Sequence, residues 1–480
     1  MNRSRETEEN RGNRRITVSL GADVSEGYVL RQGIRLQHAE HFDFTAMTLG
    51  LETPQQIGER LAAQVIATLD AREERPDRIA CDLYPKFPTT YAAEVLSDHY
   101  QVPMLRMQKC HRAILDAMDR SVQSDPARTS SLREDGQLNV EAEAMHTAVC
   151  SAFCSEVQST SEAGTDLNNS DTVLGVCLDV LSYGSDGTLW GGEILEISGE
   201  GFTRLASIHP YQLIGTNMEL HSSTPWQTAV SMLYDLARMS HNEDEAIRDF
   251  VAKQEASEKV HLLDLCSLND ARAQYIAQDR NKNTTRSTAA SGLFDAAAAI
   301  LGFQRISTPT GRSPMEALTE AAEAFEYNRK SKSQIDALYA KLGKLIASAE
   351  EIEDPTLEPG DLWEDTDDGA FSETSADDSP DILHTEQLIR LLADERIRYL
   401  TSLGKRNYDR PLNLKHPDCG HADENSLLLA WFFLDALATI SVQYCRNRAV
   451  SDIVLAGNYL KTGILNNRFE EKEHSCQAAF

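Results

Sequence analysis

The sequence predicts an α/β protein built from two related lobes that face a cleft. The first observation is a run of three short β-rich segments near the N-terminus, followed by a helical pattern and a short buried strand. The second is that the same order of elements begins again near residue 173. The third is length: 480 residues, 41% of them hydrophobic, suffice for two or three domains of roughly 150 residues each.

The first lobe is expected over residues 15–165. In "RRITVSLGADVSEGYVLRQGIRLQHAEHFDF" the Gly-containing turns separate three strands of a meander. Thr53 and Pro54 form an N-terminal helix signal, and apolar residues then recur at helical spacing. "RIACDLYP" is a short buried strand, and two helical stretches are expected between about 89 and 121. The three meander strands are predicted at 15–20, 26–31 and 33–42.

The second lobe is expected over residues 171–480. "TVLGVCLDV", "TLWGGEILEI" and "FTRLASIHPY" form a second meander, and "SDIVLAGNYL" is a buried strand that stops at Gly457. Residues 122–170 contain a short helix near 138–157 and a polar linker. The acidic tract 349–380 is predicted to be a disordered insertion. Further helices are predicted near 225–240, 243–256, 286–302 and 314–327.

The composition limits the possible partners. A net charge of −29 repels a phosphate backbone, so unaided binding to nucleic acid is not expected. The sequence has no uncharged apolar stretch of about 18 residues and no signal peptide, which predicts a cytoplasmic protein without a membrane anchor. The nine cysteines contain no CxxC pair and indicate reduced thiols. In "HPDCGH", His416, Cys419 and His421 could share a soft metal, or could be ordinary loop residues.

The tract "DVLSYGSDGTLWGGE", residues 179–193, has two interpretations. Its glycines could let backbone N–H groups approach an anion, with Asp179 directed to a metal or a ribose hydroxyl. Alternatively, Ser185, Asp186 and Gly187 could supply only the turn of a plain hairpin. The pattern alone favours the plain hairpin, and the anion site is the alternative.

Several segments together resemble the carbamoyltransferase region of the HypF hydrogenase maturation family. "LDVLSYGSDGTLWGGEILEISGEGFTRLASIHPYQL" carries the resemblance, together with "IACDLYPKFPTTYAAEVL", "SGLFDAAAAILGF" and "GRSPMEAL". The resemblance implies two actin-like, RNase H-like lobes around a nucleotide cleft. It also implies binding of ATP or carbamoyl adenylate and transfer of the carbamoyl group to an acceptor, aided by backbone donors and a metal.

The resemblance assigns nucleotide or carbamoyl adenylate binding to a set of acids, glycines and one aromatic residue. No residue is assigned a catalytic role. In the family's DGTGYG motif, Val180 and Ser182 of this chain replace two glycines. The implied binding residues are Asp179, Tyr183, Gly184, Asp186, Gly187, Asp295, Gly311 and Gly457.

The family's metal-binding motif is altered. Where the family has QHHHAH, this chain has "QKCHRA", so Lys109 and Ala113 replace the two histidines that lie four residues apart. The ammonium group of Lys109 could replace the charge of the cation, but it cannot act as a Lewis acid with several ligands. No metal ligand is therefore assigned, and a divalent metal cofactor is doubtful. "GNYLKTG" replaces the family's SGGVFQNR motif and is also similar to a strand end of eukaryote-type pantothenate kinases.

Two hypotheses of function follow from the resemblance. The first is a HypF-type carbamoyltransferase, with a HypE-like acceptor protein or a separate adenylate-forming protein as its partner. The second is a catalytically degenerate relative that acts as a binding or scaffolding subunit. A small-molecule kinase of the same fold is a third possibility. Metal content and ATP binding distinguish between the first two hypotheses.

Overall fold

A computed structural model describes the chain in segments that carry the sheets and most of the predicted helices. The described residues are 16–20, 28–32, 35–40, 51–124, 173–198, 201–214, 225–239, 285–304, 313–327, 329–350, 380–402, 423–448, 453–461 and 463–477. The helices predicted near 138–157 and 243–256, the linker, most of the acidic tract and the "HPDCGH" segment lie outside the described residues.

The first sheet has five strands in the order β3-β2-β1-β4-β5. The first three strands form an antiparallel meander, and β4 and β5 extend the sheet in parallel with β1. The predicted meander and the strand that follows its helix are therefore confirmed. The strands are β1 (Ile16–Leu20), β2 (Tyr28–Gln32), β3 (Arg35–Glu40), β4 (Arg78–Asp82) and β5 (Met104–Met107).

Two helices, α1 (Pro54–Ala71) and α2 (Pro88–Tyr100), pack against each other beside this sheet. Thr53 caps α1 as predicted, and its side chain and that of Gln56 form a reciprocal capping box. Apolar side chains of both helices share one buried cluster with β1 and β4. This layer stabilises the first sheet on one face.

The second sheet repeats the arrangement of the first. Strands β6, β7 and β8 form an antiparallel meander, and β12 pairs in parallel with β6. Strand β11 extends the sheet beside β8, while β10 and β9 extend it beside β7. Its strands are β6 (Val173–Tyr183), β7 (Leu189–Ser198), β8 (Gly201–Ile208), β9 (Tyr211–Gln212), β10 (Arg286–Ser287), β11 (Asp381–Leu383) and β12 (Ile453–Ala456).

Helices cover the second sheet and bury the largest core of the protein. Only the helices that begin at 225, 290 and 314 were anticipated from the sequence. They are α4 (Pro225–Met239), α5 (Ala290–Leu301), α6 (Pro314–Glu323), α7 (Arg329–Glu350), α8 (Thr385–Ser402), α9 (Glu424–Arg446) and α10 (Gly463–Gln477).

Helix α9 is long and apolar enough to cross a membrane by length and composition. However, 78% of its apolar window is buried inside the protein, where it contacts α5, α6, α8 and α10. Its side chains include Phe432 and Phe433, which are fully buried. This helix is therefore the central helix of the second core.

Helix α3 (Lys109–Ser124) follows the first sheet in the chain but packs against the second. It contacts β6, β7 and β12, and Ile114 fills the space beside Gly175 of β6. Buried residues of β4, β5, α3 and the second sheet form one apolar cluster. We call the region where α3 and the end of β4 meet β6 the seam.

The two helical stretches expected between about 89 and 121 are confirmed as α2 and α3, and β5, which was not predicted, lies between them and pairs in parallel with β4. One predicted boundary was wrong. The helix expected over 286–302 begins at Ala290, because residues 286–287 form β10. The predicted end of β12 at Gly457 is confirmed, and a short 3₁₀ helix (Asn458–Lys461) follows.

Candidate functional site

The seam brings together the ends of parallel strands from both sheets. Asp82 ends β4, Lys109 follows β5 by two residues, and Asp179 and Gly457 lie near the ends of β6 and β12. In open α/β sheets, ligands bind in the crevice outside the carboxyl ends of parallel strands. This topology makes the seam the candidate functional site.

A buried ion pair joins the two sides of the seam. Lys109 Nζ lies 3.2 Å from Asp179 Oδ1, and each side chain is only 2% exposed. The backbone N–H of Val180 also donates to Asp179 Oδ1, at 2.7 Å. A buried carboxylate needs such partners because burial without them is costly. Asp179, which was predicted to face a metal or a ribose hydroxyl, is therefore paired with a lysine.

The residues present do not fit the divalent metal that the family's motif implies. Lys109 and Ala113 occupy the two histidine positions, and the ammonium group of Lys109 contacts the carboxylate that was expected to face a metal or a ribose hydroxyl. A positive charge at that distance repels a second cation. Among the described residues, no cluster of three His, Cys, Asp or Glu side chains has the geometry to hold a metal.

Two further buried charged groups lie beside the pair. Arg112 donates from Nη1 to the carbonyl oxygen of Leu20 at the end of β1. Asp82 accepts from the Tyr84 N–H at 2.9 Å, whereas its other oxygen has no partner among the described residues. Burial raises the pKa of Asp82, and the nearby positive charges of Arg112 and Lys109 oppose this shift only in part.

An aromatic stack also spans the seam. The rings of Tyr84 and Tyr183 are 4.7 Å apart and inclined by 8°. Burial, with the neighbouring Tyr84 and Asp82, raises the pKa of the Tyr183 hydroxyl. Gln108 donates from Nε2 to Ser182 Oγ and to the Tyr183 carbonyl, both at 3.4 Å. The resemblance pointed to Tyr183, whereas Tyr84, in the segment "IACDLYPKFPTTYAAEVL", was assigned no binding role.

The tract 179–193 forms a hairpin whose turn is held by side chains. Gly184 N–H donates to the Thr188 carbonyl at 2.8 Å, and Gly187 has a φ of 77° in the turn. Asp186 accepts from Thr188 N–H and from Trp190 Nε1, both at 2.9 Å. The predicted turn over residues 185–187 is therefore confirmed, and Asp186 accepts hydrogen bonds from two residues of the hairpin itself.

A second network lies on the other side of Trp190. Arg204 Nη1 pairs with Asp186 at 3.0 Å, and its Nε pairs with Glu193 at 2.8 Å. The guanidinium group of Arg204 lies 4.2 Å from the centre of the Trp190 ring. Glu193 also accepts from Thr288 at the edge of β10. These contacts hold the hairpin rigidly against the rest of the second sheet.

The glycines of the predicted site contact protein atoms closely. A Cβ at Gly184 would lie 2.1 Å from Trp190 Nε1. A Cβ at Gly457, whose φ is 94°, would lie 2.2 Å from the Leu178 carbonyl oxygen. Gly457 therefore lets the end of β12 approach β6 closely. Close packing and anion binding both favour glycine, so a glycine in the sequence does not distinguish between them.

The remaining predicted residues are dispersed. Asp295 lies on α5, and its charge contributes to a raised pKa of buried Tyr211, for which desolvation is the main cause. Gly311 lies outside the described residues. The structure therefore brings together Asp179, Tyr183, the hairpin glycines and Gly457.

The fold and the seam define a class: a two-lobed α/β protein of the actin-like type. It resembles crystal structures of full-length HypF in the phosphate- and nucleotide-bound form (TM-score 0.56) and of T. kodakarensis HypF (TM-score 0.51). Both are 15% identical to this chain. The matches cover 96% and 97% of this chain, and 51% and 44% of those chains.

The sequence comparisons show which proteins the chain is similar to. Residues 175–359 match the family described as "Carbamoyltransferase, Kae1-like Domain, second subdomain". A carbamoyltransferase HypF homolog of Cupriavidus necator is 25% identical over 244 residues, or 51% of this chain and 46% of that protein. Carbamoyltransferase HypF of Rhizobium leguminosarum bv. viciae is 25% identical over 301 residues, or 62% and 29%. The chain is therefore similar to HypF carbamoyltransferases, and it spans less than half the length of these relatives.

Proposed function

We propose that this chain is a HypF-type binding or scaffolding subunit that accepts ATP or carbamoyl adenylate at the seam without a divalent metal. The buried pair of Lys109 and Asp179 carries this proposal, because it occupies the positions where the family's motif would hold a cation. The pair fixes the distance between the two sides of the seam.

Binding of an adenylate is supported by the position and charge of the seam. It lies at the carboxyl ends of parallel strands of both sheets, where Lys109 and Arg112 lie beside the carboxyl groups of Asp179 and Asp82. Phosphate oxygens are bound well by lysine and arginine. The stacked pair of Tyr84 and Tyr183 adds an aromatic surface beside these charges.

A nucleotide titration and a metal analysis test the proposal together. Calorimetry should detect binding of ATP to the full chain in the presence of EDTA, and mass spectrometry of the purified protein should find no stoichiometric iron or zinc. The metal-free assignment would be overturned if the wild-type protein contained stoichiometric metal and the Asp179→Asn variant did not. Absence of ATP binding, with or without a divalent metal, would overturn the nucleotide assignment.

Restoring the family's histidines gives a sharper test. Residues 109 and 113 lie on the same face of α3, so Lys109→His combined with Ala113→His should create a site with Asp179 as the third ligand. The double variant should gain about one divalent metal per chain. The same variant carrying Asp179→Asn is the control and should bind far less. Equal metal uptake by both variants would show that Asp179 does not face this position.

Active carbamoyl transfer is the second candidate. The family match over residues 175–359 favours it, since that region is named for a carbamoyltransferase. An assay would combine the chain with a separate adenylate-forming protein, ATP, radiolabelled carbamoyl phosphate and a HypE-like acceptor. Label on the acceptor that depends on this chain would establish transfer and contradict the scaffolding role.

A further inference from the structure

A polar cavity lies in the second lobe, where β8 and β11 end. It is lined by His209, Asp235, Thr385 and Glu386, together with three less polar side chains, and it has room for about one water-sized occupant. His209 follows β8, and Glu386 lies in the first turn of α8. None of these residues belongs to the proposed adenylate site.

Two buried polar atoms on the wall of this cavity have no hydrogen-bond partner among the described residues. They are Nε2 of His209 and Oε2 of Glu386, and the two residues are 5% and 3% exposed. The other oxygen of Glu386 contacts His384 Nδ1 at 3.1 Å and accepts from Gln387 Nε2 at 3.3 Å. Buried polar atoms are rarely left unsatisfied, so this pair points to an occupant.

The wall of the cavity is rich in acceptors and carries excess negative charge. Asp235 and Glu386 contribute two carboxylates, and no lysine or arginine lines the cavity. From outside, Arg286 Nη2 lies 3.5 Å from Asp235 Oδ2. The helix dipole at the N-terminus of α8 stabilises a carboxylate in the first turn. However, Glu386 Oε2 accepts no hydrogen bond from this turn. Among the described residues, Glu386 therefore has no lysine or arginine partner, and its Oε1 contacts a positive group only when His384 is protonated.

We propose that this cavity binds an ammonium ion. Ammonium is close to water in size, carries one positive charge and donates hydrogen bonds in four directions. It can donate to Glu386 Oε2 and to Nε2 of a neutral His209. Water would satisfy hydrogen bonds but not the charge, whereas potassium prefers a shell of oxygen ligands to an imidazole nitrogen. The proposal is independent of nucleotide binding at the seam.

Thermal unfolding of the full chain in different chlorides tests the proposal. A ligand that binds only the folded state raises the unfolding temperature with its concentration. At equal ionic strength, ammonium chloride should raise the midpoint by about 2 °C or more above sodium chloride, with saturation. Equal midpoints in ammonium chloride and sodium chloride would contradict ammonium binding and would indicate that water occupies the cavity. An equal rise in potassium chloride would show that the cavity does not select ammonium.

Matched variants of α8 locate the effect. Glu386→Gln removes the charge at nearly constant shape and should abolish the ammonium-dependent rise. Glu395→Gln, on the same helix but paired with Lys341 and Arg398 outside the cavity, should retain it. A rise that persists in Glu386→Gln would overturn the assignment. If that variant does not fold, ¹⁵N-labelled ammonium bound to the wild-type protein should still give an NMR signal in slow exchange, and its absence would refute binding.

Discussion

Replacing Lys109 by methionine should strongly destabilise the folded protein. At an effective dielectric constant of about 20, charges separated by 3.2 Å attract each other by roughly 5 kcal/mol. Methionine keeps much of the volume of lysine but removes the ammonium group that pairs with the buried Asp179 carboxylate. Removal of one partner of a buried pair typically costs about 3–5 kcal/mol, and we expect a loss in this range.

Urea unfolding followed by circular dichroism measures this loss. Lys332→Met is the matched control, because Lys332 and Asp336 form an ion pair of similar length whose side chains are 60% and 62% exposed. The control should not change the unfolding midpoint measurably. The double variant Lys109→Met with Asp179→Asn should be more stable than the sum of the single losses predicts. The reasoning would be refuted if Lys109→Met lowered the free energy of unfolding no more than Lys332→Met does. It would also be refuted if the losses of the two single variants added up exactly to the loss of the double variant.

Three other substitutions and treatments have expected outcomes. Asp82→Asn should leave the free energy of unfolding in urea unchanged or raise it. Burial raises the pKa of this carboxyl, which means that its charged form is unfavourable in the folded protein. A large loss of stability would show that the charge is needed. Gly457→Ala should lower the melting temperature, because the new Cβ would clash with the Leu178 carbonyl and the backbone φ would be strained. Gly463 has open space around it, so Gly463→Ala is the control and should not lower the melting temperature. Equal effects of the two substitutions would contradict this account of the packing at Gly457. Burial raises the pKa of Cys81 from 9.0 to about 12, so peptide mapping should find it unalkylated in the native protein at about pH 8.5. Between pH 9.0 and about 12, the Cys81 thiol ionises in the unfolded chain but not in the folded protein. Cys81 should therefore lower the free energy of unfolding as the pH rises through this range.

The order of elements could be predicted because each lobe begins with clear local signals. Glycine-containing turns separate the strands of both meanders, and Thr53 provides a capping signal that the structure confirms. Strand β5 was missed because "MLRM" is only four residues long and gains its strand conformation from pairing with β4. Short strands stabilised by tertiary pairing lack a periodic pattern of their own.

The composition of the candidate site could be predicted only in part. The replacement of the family's histidines by Lys109 and Ala113 is visible in the sequence, but the contact between Lys109 and Asp179 depends on how α3 crosses to the second sheet. The glycines at 184 and 457 fit both anion binding and close packing, so a sequence pattern cannot separate the two. The cavity beside His209 and Glu386 joins residues 177 positions apart, a proximity that no local motif reveals.

The crossing of α3 has a consequence for how this protein can be divided. Its apolar face belongs to the same buried cluster as β6 and β12, although the helix is continuous with the first half of the chain. A cut anywhere in residues 125–172 would therefore yield one piece with an uncovered helix and another with a bare sheet face. The two pieces should be poorly soluble when produced separately and should recover a native assembly when they are produced together.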